Sequence, residues 1–532
     1  MARRIAENQK ELQEFLKRRH PEYERSVAHW DFLEATYHGG REWFTEGNIF
    51  RYIKEGDKEF NDRLARAYRF NHTRESVDLV QKYIFKSPIQ RNWKDAGVEV
   101  TAFWENATLS GLDIDQYMKL VSTAASIFGR VWVFVDSTKK KDVVSKADEK
   151  KAKARVYSYL VKPQNILDVG FDDHGAINWI LVRETVRDDK DPIFSSGAVE
   201  ERFRLWTRES WTLFSIQEEG RGRKKVVVYI EDEGTNALGE VPCFAVDHVI
   251  GENRYVAPGL INDIAYLDRA VANYLSNLDA IIQDQTFSQL AMPAQGILPG
   301  EDKWDKLLEL GTKRMFVFDG EGGAKPEYIS PDPKQAQIII TVINKIINEI
   351  YHTIGMAGER TKEDNAVGID NSSGVAKAYD FERMNSLLTA KADSLENAEN
   401  KLVRLVLAYH SKDEPEDELV KYPDTFDVRS LFDEFTIAEK LALIDAPAGV
   451  RQEQMKQVID KLFPQIAKAL REKMLSELQK WPVDPVERAA ALAEATRPPT
   501  NFDGSKPAAK NPQTQNRQGQ VTAKSPNKQP GV

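Results

Sequence analysis

From Pro21 to Tyr37 the apolar residues Tyr23, Val27, Trp30, Leu33 and Tyr37 recur at three- and four-residue steps, and the run stops at Gly39-Gly40. This spacing predicts an amphipathic helix with a glycine stop. Helical spacing also runs from about Glu59 to Phe85, and from about Asp113 to Phe128, where Gly129 ends it.

The period then changes. "RVWVFVD" (130–136), "RVYSYLV" (155–161), "NILDV", "INWILVRETV", "RFRLWTRESWTLFSI" and "KVVVYIE" are rich in β-branched and aromatic residues, and several alternate apolar with polar. They predict one antiparallel sheet with a solvated face. "GFDDHGA" (170–176) and "EEGRGRKK" (218–225) read as hairpin turns, and "EDEG" (231–234) as a further solvated turn. The lysine-rich stretch 139–155 reads as a solvated insertion between strands.

After Ala257-Pro258-Gly259 helical spacing returns. Leu260, Ile264, Leu267, Val271, Tyr274, Leu278 and Ile281 predict a long helix that ends before Pro293. Residues 293–331 read as a small mixed unit: a strand at "AQGIL", a short helix at "WDKLLELG", and strands at "RMFVFD" and "PEYIS". A second long helix follows, with Asp332 as its cap, Pro333 in its first turn, and a stripe of Ile339, Ile343, Ile346, Ile350 and Ile354. A polar, glycine-punctuated stretch, "GERTKEDNAVGIDNSSG", separates it from a third long helix capped by Ser372 or Ser373. That helix carries a seam of Phe381, Met384, Leu388, Leu395, Ala398, Leu402, Leu405 and Tyr409. Residues 431–493 read as all-helical. From Arg497 onward large apolar residues are nearly absent, which predicts disorder.

Composition narrows the function classes. The 532 residues are 41% hydrophobic, enough for sizeable cores, and the formal net charge is −9. A chain that grips nucleic acid by its phosphates usually carries a basic excess, so any contact with DNA is expected to be local or loose. One cysteine, Cys243, excludes an intramolecular disulfide framework and reads as a buried small hydrophobe. The N-terminal residues lack the apolar core of a secretory signal, no segment reads as membrane-spanning, and the cysteine usage fits a reducing compartment.

Chemistry is sparse. No Walker A, dinucleotide-binding, zinc-protease or nucleophile-elbow motif occurs, and the eight histidines show no metal-binding step. The acid pairs Asp172/Asp173 and Glu231/Glu233 fall in expected turns, where no burial would tune them for acid–base work. No catalytic residue, cofactor or metal site is expected.

The order of elements carries a resemblance. A helical start, a sheet, a long helix, a small α/β unit, a returning helix, a polar loop, a very long helix and a helical cap together resemble the portal protein of tailed bacteriophages. Arg63–Ile89, with its aromatic-Asn-x-Thr step and Phe-x-x-Pro ending, looks like the family's early wing; Ser126–Asp136 and Tyr159–Val169 look like its entry into the wing sheet. The likeness spans roughly 20–490; the insertion 139–155 and the tail are departures.

That resemblance implies an α+β fold divided into a wing (1–257), a stem helix out (258–292), a clip (293–331), a stem helix back (332–356), a tunnel loop (357–372), a long wing helix (373–412), a helical crown (413–495) and a disordered tail (496–532). It implies a structural protein, not an enzyme. The expected assembly is a ring, usually of twelve copies, around a channel for double-stranded DNA at the virion vertex where the tail attaches, built in the host cytoplasm. Ile339, Ile343, Ile346 and Ile350 would serve contacts between subunits. Arg360, Lys362, Asn365, Val367 and Asp370 would line the channel. Trp304, Lys313, Gly322 and Lys325 would dock the packaging ATPase (terminase) and later the head–tail adaptor, with capsid and scaffolding proteins as further partners. Two other classes compete: an elongated coiled-coil adaptor or scaffold without a channel, which leaves the sheet unexplained, and an enzyme acting on nucleic acid or peptidoglycan, for which no catalytic trio can be named.

Overall fold

The computed structural model describes residues 3–53, 55–138, 155–189, 191–219, 225–285, 289–293, 315–318, 327–329, 334–355, 374–423, 426, 440, 447–462, 468–479 and 481. The chain forms two compact units, Met1–Val428 and Arg429–Val532. Helices and antiparallel sheets together make the first an α+β unit.

Its first part is helical: α1 (Gln9–Lys17), α2 (Pro21–His38), α3 (Asp57–Arg66), α4 (His72–Ile84), α5 (Gly97–Glu105) and α6 (Ile114–Phe128). Helix α2 starts with Pro21 in its first turn and stops at Gly39, whose φ is 65°. The continuous helix expected over 59–85 is instead two. Arg41 donates to the carbonyls of Leu64, Ala65 and Ala67, closing the end of α3. Asn71 Oδ1 then accepts from Arg74 N at 2.9 Å and opens α4. Helix α6 begins at the cap Asp113 and ends at Gly129, φ 82°. A Cβ there would lie 1.8 Å from the Ala257 carbonyl, so the chain can pass only over a glycine.

The expected single sheet is two sheets. Strands β3 (Arg130–Ser137), β4 (Val156–Val161) and β10 (Cys243–Asp247) form one, in the order β10-β3-β4. The first six residues of β3 are all buried, so this strand is covered on both faces and cannot belong to a half-solvated sheet. The other sheet holds β5 (Ile166–Phe171), β6 (Ile177–Arg187), β7 (Val199–Thr207), β8 (Ser210–Glu219) and β9 (Lys225–Thr235), ordered β9-β8-β7-β6-β5. "RFRLWTRESWTLFSI" is a hairpin, with Trp206 paired to Trp211 across Arg208-Glu209. The turn expected at 231–234 is strand: β9 runs on to Thr235 because β8 pairs with it there, Ser210 facing Thr235, while β1 (Arg4–Ile5) adds along its other edge at Tyr229 and Ile230. Glu231 then meets Arg3 at 3.0 Å and Glu233 meets Arg4 at 2.7 Å. The turn at 172–175 is as expected, with Asp172 accepting from the amides of His174 and Ala176.

Two long helices, α7 (Ile264–Gln285) and α8 (Lys334–Thr353), flank a sheet of β11 (Gln289–Pro293), β12 (Met315–Phe318) and β13 (Glu327–Ile329). Helix α9 (Gly374–Tyr409) follows, about 54 Å long at about 1.5 Å per residue. Its seam of Met384, Leu388, Leu395, Ala398, Leu402 and Leu405 is buried in the main core beside Trp104, Trp132 and Phe134. Strand β2 (Gln90–Arg91) pairs with β14 (Val420–Lys421) at its end. Among the described residues the second unit shows α10 (Ala448–Leu462) and α11 (Lys468–Leu478), with Gln452 donating to the carbonyls of Gln479 and Trp481. The expected caps Asp332, Pro333, Ser372 and Ser373, the short helix at 304–311 and the tail lie outside the described residues.

Candidate functional site

The helix pair and what joins it to α9 are the parts whose length and polarity exceed the needs of a core. Helix α7 starts at Ile264, after a turn at 260–263, and ends at Gln285, short of Pro293. Its stripe meets that of α8: Val271, Leu275 and Ile343 are buried together, with Ile339, Ile346 and Ile347 packed around them. Ile350 and Ile354 continue into the main core. Ile343, Ile350 and Ile354 are therefore covered within their own chain, while Ile339 and Ile346 are half-buried. The apolar positions of α8 that stay open are Ile338 and Ile340.

The small sheet closes the excursion between the two helices. Strand β11 follows α7 at its centre, with β12 parallel on one side and β13 antiparallel on the other, and β13 leads to α8. The strand expected at "AQGIL" (294–298) lies outside the described residues, and Gln289–Pro293 just before it is strand. Trp304, Lys313, Gly322 and Lys325 lie outside the described residues. So do Arg360, Lys362, Asn365, Val367 and Asp370, but the ends of their segment are placed. Gly355, φ 74°, sits so close to α9 that a Cβ would be 3.1 Å from Met384 N. About ten residues of α9 precede that contact, so the chain from 356 to 373 leaves at the level of Met384 and returns about 15 Å along the helix.

Buried polar groups tie these helices down. The first turn of α4 holds both members of the pair. Thr73 donates through its hydroxyl to Asp268 Oδ2 on α7 at 2.8 Å, and Arg69 lies 3.8 Å from the same oxygen. Burial raises the Asp268 carboxyl above its ordinary value, while Arg69 pulls it back. On α8, Tyr351 donates to Glu75 and lies 3.2 Å from His72 Nδ1.

Helix α9 is pinned at four levels. Lys391 Nζ, fully buried, donates to Ser126 Oγ (2.7 Å), the Ser122 carbonyl (2.9 Å) and His248 Nδ1 (3.0 Å). Ser394 donates to the Asp247 carbonyl at 2.7 Å, and Asp247 in turn takes a bidentate pair from Arg130 at 2.6 and 2.7 Å. Glu399 accepts from Arg91 and from the Tyr422 hydroxyl. Arg404 forks onto Glu240 at 2.8 and 3.1 Å. None of these was singled out from the sequence. A signal existed: Lys391 stands three residues after Leu388 and four before Leu395, and Glu399 four after Leu395, so both charges occupy the buried register.

Burial lowers the Lys391 ammonium to about 7 from 10.5, and burial with Lys391 nearby holds His248 well below its ordinary value. Between pH 7 and 10.5 the unfolded chain binds more protons than the folded one at this lysine, so stability rises with pH there. Relative to Lys391→Met, the wild type should gain on the order of 2 kcal/mol between pH 7 and 9 in urea titrations. Parallel pH curves for the two proteins would show that Lys391 does not titrate there.

Among the described residues no cluster of His, Cys, Asp or Glu could hold a metal, and no helix is long and apolar enough to cross a membrane. Asp172, one of the acids considered for chemistry, is held below its ordinary range by Arg208 and the turn amides. Cys243 is buried, and burial pushes its thiol up.

The family model "Phage portal protein, SPP1 Gp6-like" matches residues 20–481. The chain belongs to this portal family. A portal protein is a structural component, and DNA packaging is the family's role. Among solved structures, the chain is similar to one titled as the neck of an empty gene transfer agent (GTA) particle, at 12% identity, TM-score 0.37, with 82% of this chain and 98% of that chain covered. It is also similar to one titled as the virion of a native GTA particle, at 12% identity, TM-score 0.37, with 76% and 94% covered. Both are remote. No curated protein matches.

Proposed function

We propose that this portal protein is one subunit of a ring, of about twelve copies, around a channel for double-stranded DNA at the virion vertex where the tail attaches. The observation that carries the reading is the portal-family match across 20–481. The helix pair with its small terminal sheet, and the long helix it leads into, support it. In this reading 258–292 and 332–356 are the stem and 293–331 the clip, where Trp304, Lys313, Gly322 and Lys325 meet the packaging ATPase and then the head–tail adaptor. The wing comprises 1–257 and 373–412, residues 413–495 form the crown, and capsid and scaffolding proteins surround the ring as it assembles in the host cytoplasm.

Residues 357–372 face the DNA, with Arg360 and Lys362 as local guides and Asn365, Val367 and Asp370 lining the lumen. A net charge of −9 suits this, because each added lysine–phosphate contact would add a counterion-release contribution and slow a duplex that must slide. Cysteine labelling tests the placement. Cys243 is buried and gives little background, so Val367→Cys should react in empty particles and be shielded in filled ones. Equal labelling in both would place the segment outside the channel.

A further inference from the structure

The outer edge of β9 is a strand surface that the chain closes with its own first residues. Residues 226–230 read "VVVYI", uncharged, β-branched or aromatic and free of proline, and such a run on an open edge pairs readily with another chain. Against the eleven residues of β9, strand β1 supplies only two, both exposed. Side chains of α1 do the rest. Ala6 N donates to the Val228 carbonyl at 3.1 Å, and the Gln9 amide then stands where a further peptide group of a strand would be. Its Nε2 donates to the same carbonyl at 2.8 Å, and its Oε1 accepts from Val228 N at 2.9 Å. Gln13 Nε2 donates to the Val226 carbonyl at 2.9 Å. Asn8, at φ 55°, bends the chain out of β1 and brings Gln9 onto the edge. Farther along α1, Leu16 is buried and Phe15 meets Trp179 edge-on at 5.5 Å, which holds the segment to the sheet.

The same edge fits a copy of itself. Val228 turns both its N–H and its C=O outward, so two β9 strands can run antiparallel with Val228 opposite Val228 and exchange both bonds. That register is two-fold and closes at two copies. It also matches charge. Basic residues occupy 223–225 and acidic residues 231–233, and the register sets Lys225 of each copy opposite Glu231 of the other. The N-terminal segment answers the same acids with the same sign, Arg3 at 3.0 Å from Glu231 and Arg4 at 2.7 Å from Glu233. The two pairings exclude each other, because both use the outward groups of Val228.

We propose that residues 3–13 are an edge guard that keeps β9 from pairing with β9 of a second copy. Being attached, the guard meets the edge at an effective concentration on the order of millimolar, which free copies in dilute solution do not reach.

The test is disulfide capture between two forms, Lys225→Cys and Glu231→Cys, mixed in equal amounts under mild oxidation; Cys243 is buried and gives little background. With residues 1–13 deleted from both, the mixture should give a linked dimer that neither form gives alone, and the full chain at least about tenfold less. Arg3→Glu with Arg4→Glu, both at exposed positions, is a second route. It sets like charges on Glu231 and Glu233 while α1 keeps its core contacts, and should raise both hydrogen exchange at 226–230 and the yield of dimer. This form decides the matter where the shortened chain loses the wild-type melting curve. Equal yields from the full and shortened chains would show that nothing guards the edge. Folded chains, shortened or charge-reversed, that stay unlinked would show that β9 does not take a second copy. Either result overturns the proposal.

Discussion

Glu399→Ala is expected to destabilise the first unit by about 3–5 kcal/mol. The carboxylate is fully buried on α9 and Arg91 is 4% exposed, so removing one leaves the other charged and out of water. Arg91 keeps only Asp115, at 2.8 Å and at the surface, and the Tyr422 hydroxyl loses its acceptor. The pair also sits where β2 meets β14, so the short sheet that fixes residues 420–421 to Gln90–Arg91 should loosen with it. Urea denaturation should show the midpoint falling with an unchanged slope. A shift smaller than about 1 kcal/mol would mean that water reaches Arg91 once the carboxylate is gone.

The second large effect is expected at Ile343. Ile343→Asp removes a buried side chain from the contact with Val271 and Leu275 and places a carboxylate there, at a cost of about 4 kcal/mol or more. The loss should be local. Ile350, Tyr351 and Asp268 hold the other end of the pair in the main core and against α4, so hydrogen exchange should rise over 268–285 and 334–346 while 114–137 stays protected. Ile338→Asp, at an exposed position of the same helix, should change stability by under about 0.5 kcal/mol. Equal effects at the two positions would contradict the packing of α8 on α7.

How much of this was legible follows from what each signal depends on. The helices with a 3–4 stripe and a polar reverse, such as α2 and α8, stand where the periodicity puts them, because burial on one side is a local property. The break between α3 and α4 was not legible, since Arg41, which closes α3, is more than twenty residues away. Strand β1 has two residues and too little pattern to read, and it exists because β9 offers an edge. The split into two sheets was visible in principle, as "VWVFV" does not alternate. Of the candidate site, the isoleucine stripe was found: a stripe shows that something covers it, and nothing in its spacing says whether the cover is α7 or another copy.

The four pins on α9 set how that helix can respond to a push. From Lys391 to Arg404 they span about 20 Å, and the helix from Gly374 to Lys391 makes an arm of about 25 Å. A sideways force at Gly374 is therefore resisted as a torque over a base slightly shorter than the arm, so the reaction at the Lys391 end is about twice the force applied. The buried bonds of Lys391 and Ser394 take that load first, and tilting the helix requires Lys391, Ser394, Glu399 and Arg404 to give way together.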